Sequence, residues 1–124
     1  HYIYKVEDEN RVLMIDRSQM EQVLINLLKN AGEACMEQSH PEVMIETVYS
    51  AEKHIFQLSV KDNGSGILPE VQDKIFIPFF TTKTTGSGIG LSLCKQIMTL
   101  HGGSLQVSSE LGKGSCFTLK LLAK

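Results

Sequence analysis

The chain has 124 residues, 42% hydrophobic and 21% charged, with a formal net charge of −2. That length fits one domain around one core, and the charge balance, with no basic cluster, speaks against nucleic acid as a partner. No apolar run nears the roughly 18 residues of a membrane span, and the N-terminus has no signal-peptide pattern.

Segments 2–6 and 12–15 (YIYKV, VLMI) are rich in β-branched and aromatic types and predict two strands. Asp16 suits an N-cap. From 18 to about 38, Met20, Val23, Leu24, Leu27, Leu28, Ala31 and Cys35 recur at helical spacing, and His40-Pro41 ends the run. Segments 43–50 and 54–61 predict two strands around a turn at 51–53, the second alternating with Phe56, Leu58 and Val60 on one face. A short helix is predicted at 69–74 with proline in its first turn, then a loop over 76–88. A second long helix, 89–100, turns Ile89, Leu93, Ile97 and Leu100 inward and stops at His101-Gly-Gly. Strands at 104–108 and 115–122 close the chain. The pattern predicts an α+β two-layer sandwich: a mixed, mostly antiparallel sheet of about five strands, covered on one face by three helices. Cys35, Cys94 and Cys116 are dispersed and lack a CxxC, so they read as small buried hydrophobes of a reducing, cytoplasmic compartment. A start at His1 in place of Met reads as a piece of a longer protein.

Three places bend these local rules. Asn26 and Asn30 lie one turn apart on the first long helix, although asparagine is a mediocre helix former. They read either as a solvated flank or as amide oxygens facing a cleft, where they would suit a hard cation such as Mg²⁺. Counting by twos from Phe56 puts Asp62 on the buried face, where a carboxylate rarely stands without a partner. Asp62-Asn-Gly also reads as a turn, but the glycines that follow favour an inward acceptor for a group with amine donors, such as adenine N6. TTKTTGSGIGL at 81–91 fits neither the P-loop nor the dinucleotide fingerprint. It is a glycine-rich loop opening into a helix, equally suited to phosphate oxygens at free N–H groups or to plain helix entry.

Together these residues resemble the catalytic, ATP-binding domain of bacterial sensor histidine kinases, a branch of the GHKL superfamily. QVLINLLKNAGEA (22–34) is similar to its N box, VKDNGSGI (60–67) to its first glycine box and IFIPFFTTK (75–83) to its phenylalanine box and lid. GSGIGLSL (86–93) is similar to the second glycine box and GKGSCF (112–117) to the last glycine motif. The resemblance implies Mg²⁺ on Asn30, adenine N6 on Asp62, and close approach of adenine and ribose at Gly64 and Gly66. It places Gly86, Gly88 and Gly90 beside the phosphates, with Lys83 meeting them from the lid. Ile67, Thr82, Ser87, Ile89 and Leu91 complete the nucleotide lining, and Ser115 or Thr118 adds a contact near adenine. Asn26, Asn30 and Lys83 are the expected catalytic set, while Phe76, Phe79 and Phe80 anchor the lid.

Hydrolysing members of the superfamily carry glutamate at the position of Asn26, and an amide cannot accept the proton of an attacking water. The resemblance therefore implies a kinase donating the γ-phosphoryl group of ATP to a histidine on an adjoining dimerisation domain. None of His1, His40, His54 or His101 sits in the expected acceptor context, and His101 is expected to be structural. The further partners implied are a response regulator and a second copy held through the dimerisation domain, in a parent protein either free or anchored in the inner membrane. An anti-sigma serine kinase, a switch ATPase and a non-catalytic nucleotide-binding module stand as alternatives.

Overall fold

The ends of the two long helices set the geometry of everything between them. The computed structural model describes residues 2–5, 15–80 and 90–122. Helix α1 (Arg17–Ala34) begins where the Asp16 carboxylate accepts from the Gln19 amide at 3.0 Å, satisfying a donor the helix itself cannot. It closes at Cys35, whose N–H returns to the Ala31 carbonyl. The sequence pattern carried the helix to about 38. Cys35 is the last residue of the apolar stripe, and Met36 beyond it is 68% exposed, so a further turn would bury nothing.

Strands β2 (Val43–Ser50) and β3 (Ile55–Asp62) form an antiparallel pair, and a short α2 (Pro69–Gln72) follows. Helix α3 (Gly90–Leu100) leads into β4 (Ser104–Glu110) and β5 (Gly114–Leu122). At the end of α3, Gly102 has φ +71°; its N–H meets the Thr99 carbonyl and that of Gly103 reaches Met98. This is the glycine-terminated helix stop that the His-Gly-Gly sequence implies. With β1 (Tyr2–Lys5), the five strands are ordered β1-β2-β3-β5-β4. β1 pairs parallel with β2 and every other pairing is antiparallel. A parallel pair needs a crossover, and α1 lies in it. The α+β sandwich with a mixed, mostly antiparallel sheet is thus observed. The strand expected at 12–15 falls outside the described residues, apart from Ile15, which is not in a strand.

One core joins the helices to the inner face of the sheet. Val23, Leu27 and Ala31 of α1 meet Val60, Leu105, Phe117, Leu119 and Leu121, all nearly inaccessible. The inner face of α3 differs from expectation. Cys94, Ile97 and Met98 are buried and Leu91 packs beside them, whereas Leu93 and Leu100 are 39% and 71% exposed. Cys94 and Met98 are themselves apolar enough to form the stripe, which rotates the helix away from the leucines. The opposite face of the sheet is more polar: Lys61, Gln106 and Ser108 are exposed there, and Thr118 and Lys120 are half-buried.

Candidate functional site

Alternation along β3 brings Asp62 inward at the end of the strand, as the count by twos required. Its register partner on β5 is Ser115, and that of Ser115 on β4 is Ser109, so one carboxylate and two hydroxyls line a single cross-strand row. Asp62 is only 7% exposed. Its Oδ1 accepts from the Gly64 amide at 2.9 Å. Its Oδ2 has no hydrogen-bond partner, and no other buried side-chain oxygen or nitrogen among the described residues shares that condition. Burial pushes the carboxyl above its ordinary 3.8, partly opposed by the backbone amides of Gly64 and Ser115. A buried acceptor left unpaired is costly, and it belongs where a donor arrives from outside the fold.

The loop after Asp62 is fastened on three sides. Asn63 donates through Nδ2 to the His40 carbonyl at 2.8 Å and accepts the Glu42 amide on Oδ1 at 2.9 Å, so it clamps the loop as well as turning it. A Cβ on Gly64 would lie 2.3 Å from the Ala34 carbonyl oxygen at the end of α1. Gly66, at φ +85°, would place a Cβ 2.5 Å from the Glu110 carbonyl oxygen. Both glycines are therefore demanded by the protein's own backbone, a reason distinct from ligand approach. Beyond them, the Ile67 amide donates to Ser109 Oγ at 2.7 Å, and Gln72 Nε2 donates to the Ile67 carbonyl at 2.9 Å.

At the other end of the site α1 crosses the start of α3. Asn26 is half-buried; its Nδ2 reaches the Gly90 carbonyl at a long 3.5 Å and its Oδ1 accepts from Gln22 at 3.3 Å. Asn30 is half-buried one turn further on, toward the Ala34 end that touches Gly64. At about 1.5 Å per residue, α1 therefore spans roughly 12 Å from Asn26, at the first turn of α3, to Ala34, at the Asp62 loop, with Asn30 midway. Cys94 lies under this crossing, fully buried, and burial raises its thiol above the ordinary value against the opposing pull of the Asn26 amide. It is packing, not a nucleophile.

Several expectations are revised. Thr118 faces away from Asp62: its hydroxyl bonds Ser59 at 3.2 Å on the opposite face of the sheet, since residues of β5 alternate and Ser115, Phe117 and Leu119 point inward. Ser115 holds the place beside Asp62. Phe76 packs edge-on against Phe117 with centroids 6.4 Å apart, and Phe80 joins the core margin, whereas Phe79 is 78% exposed at φ +67° and stands outside that core. Thr82, Lys83, Gly86, Ser87, Gly88 and Ile89 lie outside the described residues. His101 is structural: its Nδ1–H donates to the Ile97 carbonyl at 2.8 Å and its Nε2 accepts the Asp16 amide at 3.0 Å, tying α3 to the cap of α1. Sequence reasoning missed Ser109, although Leu105 and Val107 fix its inward parity by the same count that found Asp62.

The model of the histidine kinase-, DNA gyrase B- and HSP90-like ATPase family matches residues 15–124. The catalytic domain of histidine kinase ThkA, solved free of nucleotide, superposes with a TM-score of 0.85 at 34% identity, over 98% of this chain and 77% of that one. The chain belongs to the catalytic-domain family of the sensor histidine kinases. Among curated relatives, the signal transduction histidine-protein kinase AtoS of Escherichia coli is 40% identical over 97% of the chain, and the sensor protein FixL of Bradyrhizobium diazoefficiens 39% over 90%. The chain spans 19% of AtoS and 22% of FixL, about a fifth of each kinase. No helix among the described residues is long and apolar enough to cross a membrane.

Proposed function

We propose that this kinase catalytic domain binds Mg-ATP between α1, the Asp62 loop and the start of α3, and gives the γ-phosphoryl group to a histidine on an adjoining domain of the same parent protein. The observation that carries the reading is the unpartnered, buried Oδ2 of Asp62. An exocyclic amine such as adenine N6 supplies the missing donor, and the row beside it offers hydroxyls and no cation. From there α1 leads, over a distance suited to an extended triphosphate, to Asn26 at the positive end of the α3 dipole.

Asn30 is the proposed protein ligand of Mg²⁺, which when bound would neutralise phosphate charge. Among the described residues no group of three or more His, Cys, Asp or Glu side chains forms a dedicated metal cage. A single amide fits an ion that takes its other oxygens from phosphates and water. Gly86, Gly88, Gly90 and Lys83 are proposed to meet the phosphates. In the transfer, an imidazole nitrogen of the acceptor histidine forms the bond to the γ-phosphorus as the bond to the bridging oxygen of ADP breaks, and positioning does most of the work. Asn26 favours this over hydrolysis, since no carboxylate stands at that position to take a proton from water. A response-regulator receiver domain is the proposed destination of the phosphoryl group.

Asp62→Asn is expected to weaken ATP binding by about 1.5–3 kcal/mol, the worth of a hydrogen bond to a charged acceptor. Titration with a fluorescent ATP analogue reads this directly, and unchanged affinity would remove Asp62 from the base site.

A further inference from the structure

Ser109 on β4 is placed to decide which way the Ser115 hydroxyl points. A serine hydroxyl has one hydrogen and two lone pairs. The Ser109 hydrogen goes to the Gly114 carbonyl at 3.0 Å, and one lone pair takes the Ile67 amide at 2.7 Å. The contact to Ser115 Oγ at 2.8 Å must then use the remaining lone pair, with Ser115 as donor. Ser109 is saturated by this arrangement, and the Ser115 hydrogen is drawn away from Asp62. The unpartnered state of Asp62 Oδ2 agrees, since Ser115 gives it no hydrogen bond. Ser115 is 6% exposed, so water has little access to reorient it.

Resting on the nucleotide reading above, we propose that Ser109 is a positioning residue for base selection. By holding the Ser115 hydrogen, it leaves the inner row as an acceptor-only wall made of Asp62 Oδ2 and the Ser115 lone pairs. A 6-amino purine presents donors to that wall. A 6-oxo purine presents an acceptor at the 6-position, its donor being moved to N1–H, and the site cannot answer the oxygen by rotating Ser115, because its hydrogen is committed to Ser109. Discrimination of this kind, by buried polar groups that would be left unpaired, is strong compared with discrimination by shape.

The test compares binding of ATP and of inosine triphosphate, which carries a 6-oxo group and an N1–H in place of the 6-amino group and bare N1, by calorimetry on the chain and on Ser109→Ala, Ser109→Thr and Ser115→Ala. The wild type is expected to prefer ATP by about a hundredfold or more. Ser109→Ala frees the Ser115 hydrogen to turn toward Asp62 Oδ2 or a 6-oxo group, so the wall is no longer acceptor-only and the ATP preference should narrow by about tenfold, the equivalent of one hydrogen bond. Ser109→Thr keeps the hydroxyl and should restore the preference. Made on the Ser115→Ala background, Ser109→Ala should no longer change the ratio. Should Ser109→Ala not fold, Ser109→Cys carries the same comparison, because a thiol fills the position but is a weak acceptor. Equal loss of affinity for both nucleotides, with the ratio unchanged, would show Ser109 to be a brace for the loop and overturn the proposal. A wild type that binds neither nucleotide would instead remove the nucleotide reading on which it stands.

Discussion

Asp62 sits in the wrong solvent for its charge, and that fact has two consequences of opposite sign. Because burial raises its pKa above the ordinary 3.8, the folded chain holds more protons than the unfolded one in the window just above that value. Stability of the nucleotide-free domain should therefore fall as pH rises through the window, and the ionised carboxylate is a standing cost at neutral pH. Asp62→Asn should raise the melting temperature at neutral pH by a few degrees, with the gain shrinking on acidification. ATP affinity should do the reverse in the wild type, increasing with pH over the same window, since the ionised oxygen is the better acceptor. Thermal scans and ATP titrations from about pH 4 to pH 7 check both. A carboxylate whose removal leaves the melting temperature unchanged or lower would be a structural brace and not a retained binding group.

Among the elements, α1 and α3 act as one unit, because His101 accepts the amide of the Asp16 cap while its other nitrogen donates back into α3. His101→Ala loses both bonds and should cost about 1–2 kcal/mol in urea unfolding. His101→Asn, which keeps a donor and an acceptor on a shorter arm, should cost less. This linkage was only half legible in the sequence: LHGG signals a helix stop, but nothing local says that its imidazole meets a residue 85 positions away. The same division runs through the other elements. Alternation found Asp62 because a strand has a strict period of two and the residue beside it is unambiguous. It failed for Thr118 only through neglect of that period, since Phe117 is plainly inward. The inner face of α3 was harder, because Leu93 and Cys94 are both apolar and periodicity alone does not choose between adjacent stripes. The roles of Gly64 and Gly66 were not readable at all: a glycine announces close approach, but only the fold reveals that the Ala34 and Glu110 carbonyls are what approach.

For the whole molecule, the proposed ligand would touch three elements at once: the Asp62 loop, the middle of α1 and the start of α3. A molecule that binds the folded state alone stabilises it by about 2.7 kcal/mol when present at a hundred times its dissociation constant. In a chain of 124 residues that corresponds to a rise in melting temperature of about ten degrees. Mg-ATP should therefore shift the melting curve upward by that amount. ATP with a chelator should shift it less, because three phosphates then bring uncompensated charge against the start of α3 and the α1 amides. Asn30→Ala distinguishes the metal's place from the base's. If Asn30 holds the ion, the variant should keep the smaller, metal-independent shift and lose most of the increment added by Mg²⁺, whereas Asp62→Asn should depress both. Differential scanning fluorimetry on the three proteins, each with magnesium and with chelator, reads the outcome. A magnesium increment of full size in Asn30→Ala would place the ion on some other group and leave Asn30 a helix residue with no part in the site.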